Sequence, residues 1–193
     1  MTSLRERNRR RAMRETQRAA LAMFEARGFD DVTVAEIAAD VGIAASTIYR
    51  HFETKEAIVL WDEHDDGIDE GLARELGHQP PFAAMRAAFV ADLGARYDED
   101  LDFQLRRVRY IYETEQLHAA SVETEYRQTL DLADALEPLL SERDRGNGPL
   151  LAGAAMLALD VAFDRWQASR AARPLGEIIG EAFDTLERLG SIR

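Results

Sequence analysis

Residues 33–55 read TVAEIAADVGIAASTIYRHFETK. Val34, Ile37, Ala38 and Val41 recur at the spacing of one helical face, which predicts a short amphipathic helix. Thr33 stands before it as an N-cap and Glu36 follows three residues later, the pattern of a capping box. Gly42 then breaks the run, supplying the left-handed backbone that a sharp turn between helices needs. A second short helix follows, with Ile48 and Phe52 inward and Ser46, Thr47, Tyr49 and Arg50 toward solvent. Two short helices with a glycine turn form a helix-turn-helix, and outward hydroxyls and a guanidinium can donate to phosphates and base edges in a major groove.

Working outward, residues 4–27 read as a long helix with Met13, Ala20, Leu21 and Phe24 inward, stopped by Gly28. Thr54 caps a fourth helix whose stripe runs through Trp61, Ile68, Leu72 and Leu76. GHQPP at 77–81 is a break. Helices are expected to Tyr97, again from 98–100 through Leu101, Phe103, Leu105 and Val108, and over 117–143 with a kink at Pro138. After a second break at 143–149, two apolar helices follow, Leu150 to Arg173 and Leu175 to Leu189, separated by Pro174. Nothing alternates with period two, so the expected fold class is all-α. It comprises an N-terminal three-helix helix-turn-helix domain, residues 1–54, and a C-terminal helical domain, residues 55–193, with about nine helices in all.

The stripes Leu151, Ala155, Ala158, Leu159, Ala162, Trp166 and Ile178, Ile179, Phe183, Leu186 suit either internal packing or a partner surface. Aromatic and apolar residues of the middle and end of the chain, among them Trp61, Phe82, Phe89, Leu93, Phe103, Tyr110, Met156 and Phe163, suit a plain core or a cavity for a small molecule.

Charge is uneven. The chain carries 24 basic and 36 acidic residues, a net charge of −12, yet residues 1–60 hold ten against nine and the remainder is −13. Seven arginines fall within the first 20 residues, against Glu6 and Glu15. An Arg-rich arm carrying Arg9, Arg10 and Arg11 is expected at phosphates or a minor groove, or as a solvated tail. There is no cysteine and no long apolar run, so the expectation is a cytoplasmic protein without disulfides or a membrane segment.

Enzyme signatures are missing: His51, His64, His78 and His118 are scattered and no HExxH, GxSxG or phosphate-loop spacing occurs. His64 beside Glu63, Asp65 and Asp66 reads as an acidic turn rather than a metal site. No catalytic residue, metal or cofactor is expected.

The string GFDDVTVAEIAADVGIAASTIYRHFETK, residues 28–55, resembles the DNA-binding domain of TetR-family transcriptional regulators. That resemblance implies a homodimer on a double-stranded, palindromic DNA operator. Tyr49, Lys55 and Thr33 would hold phosphates, while Ala45, Ser46, Thr47 and Arg50 would face base edges with His51 packed beside the duplex. It also implies pairing of the last two helices with their copies, and release from DNA by a small apolar or amphipathic effector. Residues 106–140, RRVRYIYETEQLHAASVETEYRQTLDLADALEPLL, resemble the ligand-binding part of a subgroup with acyl-CoA-like ligands that includes mycofactocin-system regulators, departing from it at Glu115, where a proline is usual. Arg106, Arg107 and Arg109 would meet CoA phosphates or pair with nearby acids such as Asp98, Glu99, Asp100 and Asp102. Two further readings are a drug-efflux regulator, with Glu63, Asp65, Asp66 and Glu113 as counter-charges for a cationic ligand, and a helical scaffold that binds only protein.

Overall fold

A computed structural model describes residues 4–62, 72, 74, 75 and 78–190. Nine α-helices, and no strand, occur among the described residues: α1 (Leu4–Arg27), α2 (Val34–Asp40), α3 (Ala45–His51), α4 (Lys55–Leu60), α5 (Pro81–Glu99), α6 (Leu101–Glu113), α7 (Glu115–Leu136), α8 (Gly148–Ala168) and α9 (Leu175–Gly190). The chain divides into two compact units, residues 1–63 with 106–121, and residues 64–105 with 122–193. The unit that holds the helix-turn-helix therefore extends past residue 54, through α4, and takes in the corner between α6 and α7.

In the first unit α2 and α3 pack on α1 because their apolar positions fall on one side. Ile37, Ala38, Ile48 and Phe52 join Met13, Ala20 and Phe24 in one buried cluster. The turns before α2 and between α2 and α3 use Gly28 (φ 93°) and Gly42 (φ 71°), a backbone region that costs a side-chain-bearing residue about 1 kcal/mol. Leu117, from the start of α7, is fully buried in the same cluster.

Two expected helices are shorter than their apolar patterns. α4 ends at Leu60, where Trp61 takes an extended ψ of 128°. Leu72 is buried, whereas Ile68 and Leu76 lie outside the described residues. Pro138 ends α7 instead of kinking it: with no amide hydrogen to give, it enters a 3₁₀ turn over Glu137–Leu139.

In the second unit α9 packs against α5 and α8. Gly94 of α5 and Gly176 of α9 let the two backbones meet, since a Cβ on Gly94 would lie 3.1 Å from the Gly176 Cα. Phe183 packs with Phe82 and Phe89 at ring separations of 4.8 and 6.1 Å, and Trp166 meets Tyr97 edge-on at 5.5 Å. An Arg86–Asp184 ion pair at 3.0 Å closes the edge of the α5–α9 contact.

This packing revises the partner-surface reading. Ala155, Ala158, Leu159, Ala162, Trp166, Ile178, Ile179 and Phe183 are buried inside one chain, so their side chains are already spent on internal contacts. Leu151 and Leu186 are half-buried. The large apolar side chains that α8 and α9 leave in solvent are Leu150, Leu157 and Leu189, at 71, 54 and 51 % exposure. A carboxylate at Phe183 would be buried unpaired and would leave Phe82 and Phe89 without their neighbour. Phe183→Asp is accordingly expected to destabilise the second unit by roughly 4 kcal/mol, with loss of the thermal transition at protein concentrations where the wild type still melts cooperatively.

Candidate nucleic-acid interface

The recognition surface is built from the cap of α2 and the outer face of α3. Thr33 caps α2: its Oγ1 accepts from the Glu36 N–H at 3.2 Å, and Glu36 Oε2 accepts from the Thr33 N–H at 2.8 Å and from its hydroxyl at 2.7 Å. Arg27 reaches across to Glu36 Oε1 at 2.7 Å and to the Asp31 carbonyl at 2.6 Å. Hydrogen bonds from Thr33, then the Arg27 guanidinium, hold the Glu36 carboxyl down to about 2, from an ordinary 4.5. Thr33 is thus engaged in holding α2, whatever else its exposed edge meets.

On α3, Ile48 points inward while Ser46, Tyr49 and Arg50 are exposed, Tyr49 to 55 %. Ala45, Thr47 and His51 are half-buried at its sides. The exposed set carries two hydroxyls and a guanidinium within one and a half turns, enough donors for phosphate and base-edge contact.

Lys55 also has a structural role. Its ammonium donates to the carbonyls of Phe29 at 2.6 Å and Val32 at 3.2 Å and stands 4.2 Å from the Phe29 ring centroid. It ties the loop before α2 to the start of α4, leaving one of its three donors for a phosphate.

Arg9, Arg10 and Arg11 lie on α1 itself rather than on an irregular arm, and Arg11 pairs with Glu15 one turn on at 2.9 Å.

Several residues expected at an effector belong instead to this unit. Trp61 packs edge-on to Phe52 with ring centroids 6.0 Å apart. The Tyr110 hydroxyl donates to the Phe24 carbonyl at 3.1 Å and its ring stacks on Phe24; desolvation raises its pKa. Arg106 forms an ion pair with Glu25, and Arg109 with Glu113 at 3.0 Å. Arg107 is buried, bonded to the Trp61 carbonyl and facing Asp62. Each of the three guanidiniums thus faces a protein group in the first unit, Arg107 buried and Arg106 and Arg109 in exposed pairs. Glu63, His64, Asp65 and Asp66 lie outside the described residues.

The remaining residues of the expected effector set fall in the second unit. Phe89, Leu93 and Phe103 are buried and Phe82, Met156 and Phe163 half-buried, with Phe163 5.1 Å from Tyr97. Among the described residues no cluster of acids and histidines suits a metal, and no helix is long and apolar enough to cross a membrane.

Residues 18–60 match the family model "Bacterial regulatory proteins, tetR family", and residues 79–189 match "MftR C-terminal domain". The chain belongs to the TetR family of transcriptional regulators. It is 37 % identical over 103 residues to the HTH-type transcriptional regulator TcmR of Streptomyces glaucescens, covering 51 % of this chain and 45 % of that protein. It is 34 % identical over 107 residues to MftR of Mycobacterium tuberculosis, a regulator assigned to mycofactocin biosynthesis, covering 53 % and 52 %. These alignments span about half the length of either relative. In fold it resembles the TetR-family repressor FadR of Thermus thermophilus, solved in complex with lauroyl-CoA. The TM-score there is 0.56 at 24 % identity, over 94 % of this chain and 96 % of that one. As a TetR-family member the chain is a DNA-binding transcriptional regulator.

Two outcomes follow for the recognition unit. Lys55→Met removes both loop bonds and should lower the stability of the intact protein by roughly 2 kcal/mol in urea titration, whereas Tyr49→Phe should leave stability unchanged. The Glu36 carboxylate stabilises the fold only while ionised, and its folded value lies below its unfolded one. Its contribution is therefore complete above about pH 4.5 and fades as pH falls toward 2. The gap in thermal midpoint between wild type and Glu36→Gln should be constant near neutrality and narrow below about pH 4.5.

Proposed function

We propose that this regulator is a repressor that binds a two-fold-symmetric operator as a homodimer and leaves it when a small, largely apolar effector occupies the second unit. The observation that carries the reading is α3 itself, with Ser46, Tyr49 and Arg50 in solvent over a buried Ile48. Seven arginines in the first 20 residues add positive charge to the same unit, while the rest of the chain is acidic and is repelled by phosphate.

For the homodimer, Leu150 and Leu157 lie seven residues apart on α8, with the half-buried Gly153 and Ala154 between them. Such a face, of leucines over small residues, suits close packing against its own copy about a two-fold axis. An operator of two half-sites then meets one recognition helix from each protomer.

For the effector, the lauroyl-CoA held by the FadR fold neighbour supports an acyl ligand. Arg106, Arg107 and Arg109 belong to the first unit while Phe89, Leu93 and Phe103 are buried in the second, so on this reading the acyl chain is the recognised part and a fatty acid and its CoA ester should act alike. Release requires that the ligand prefer a dimer geometry in which the two recognition helices no longer fit the duplex.

A mobility-shift titration on the protein's own promoter tests the reading. Tyr49→Phe should weaken binding to operator and random DNA alike, by roughly 1 kcal/mol, because a phosphate contact positions without specifying. Arg50→Ala should relax preference at one base step, and Leu157→Asp should yield a folded monomer with steeply reduced operator affinity. Lauric acid and lauroyl-CoA should release the operator at similar concentrations. Unchanged operator binding in all three variants would overturn the assignment of α3 and of the dimer face. Release by a planar cationic dye, and by neither acyl compound, would overturn the acyl reading.

A further inference from the structure

Four arginines of the first unit share one face of α1. Arg7, Arg11, Arg14 and Arg18 are all exposed and step by four, three and four residues, which aligns them along about 16 Å of helix. At about 100° per residue, this stripe lies about a third of a turn from the face that Met13, Ala20, Leu21 and Phe24 bury. Arg11 meets Glu15 at 2.9 Å with both side chains more than half exposed, a pair that solvent screens and that a phosphate can replace.

The rest of the unit brings no surplus of positive charge. Residues 21–60, from which α2, α3 and α4 are built, carry Arg27, Arg50 and Lys55 against seven acids, a net charge of −4. Arg27 is bonded to Glu36 and Lys55 to two carbonyls, while Arg106, Arg107 and Arg109 each face an acid of the same unit. Arg50 is the cation on the outer face of α3, with the exposed Glu53 three residues on. Affinity for DNA comes largely from cations that displace counterions from phosphates, so a recognition helix on an acidic scaffold needs a separate source of charge. The first 20 residues, with seven arginines against two acids, are that source. Because the apolar face of α1 is buried in the core, the stripe has no apolar border with which to enter a lipid surface, whereas phosphate contact requires charge alone.

We propose that the guanidinium stripe of α1 is the main phosphate-binding element of this regulator. It meets the backbone of the duplex and supplies most of the affinity, while α3 supplies the choice of sequence. Phosphates carry no sequence information, so the stripe holds operator and random DNA alike. The inference rests on the reading of the chain as an operator-binding regulator.

The test uses the full chain, its promoter operator and a random duplex of equal length, each titrated over a range of salt. Arg7→Gln, Arg11→Gln, Arg14→Gln and Arg18→Gln, combined in one variant, keep good helix formers at exposed positions and should leave the melting temperature unchanged. The slope of log affinity against log salt should shallow by about three to four, since each phosphate contact contributes about 0.9. Binding to operator and random DNA should weaken together, by roughly a thousandfold at about 0.1 M salt, with their ratio kept. Lys at the same four positions keeps the charges and should keep the slope to within about one. Gln in place of Arg127, Arg143, Arg145 and Arg170, all exposed in the second unit, changes the net charge equally and should also leave the slope within about one of wild type. If the wild type binds operator no better than random DNA, the operator reading fails, while the slopes still decide the stripe. A folded α1 Gln variant with the wild-type slope overturns the inference, as does an equal loss from the second-unit variant. It is overturned in favour of a membrane if the α1 Gln variant keeps its DNA slope and loses binding to phosphatidylserine vesicles. Should that variant melt lower, the pairs Arg7→Gln with Arg11→Gln and Arg14→Gln with Arg18→Gln, each expected to lose half as much slope, decide by the same criteria.

Discussion

The DNA-binding unit depends on helices too short to stand alone. α2 and α3 have seven residues each and α4 six, well below the length at which an isolated helix holds in water. They persist because Ile37, Ile48 and Ile58 are sunk into a core floored by the 24-residue α1, where Phe24 is 1 % exposed. The orientation of the recognition helix is therefore a property of that shared core. Leu117 enters the same core from a segment more than fifty residues further along the chain, so a unit that looks contiguous in sequence closes with a distant helix corner.

The same requirement decides where the cations go. Of the basic residues in this unit, Lys55 holds two loop carbonyls, Arg27 the α2 cap, Arg106 a glutamate of α1 and Arg107 the end of α4. Lys55, half-buried, and Arg107, buried, are stable only with partners supplied by the fold, whereas Arg27 and Arg106 keep exposed guanidiniums beside their acids. Ser46, Tyr49 and Arg50 on α3 remain exposed on the outer face, the surface on which the proposed DNA contacts rest.

What could be read from the sequence was what is local. The Thr33–Glu36 capping box, the turn at Gly42 and the inward set on α1 to α3 are relations over three to eleven residues, and the fold places them as the pattern requires. Partnerships over tens of residues were not legible: periodicity marks Trp61 and Tyr110 as apolar or aromatic, without saying that they join the DNA-binding core instead of the second unit. A usable signal was nonetheless present at Gln17, a lone amide on an otherwise apolar helical face, and at Arg107 beside Val108. Such residues mark places where a helix end or a carbonyl has to be satisfied.

The apolar stripes of α8 and α9 show the same limit from the opposite side. A stripe in sequence gives the width of an apolar face but not the number of neighbours it has to cover. α8 is small on the face that meets its own chain, with Ala152, Ala155, Ala158 and Ala162 all buried, and this lets α5 and α9 approach closely enough to absorb Trp166 and Phe183. Leu150 and Leu157 then lie off that stripe, still in solvent. A helix apolar on both sides is fully explained only when both sides are covered. The protomer covers one of them, and the other, with Leu150 and Leu157, is the surface on which the proposed homodimer rests.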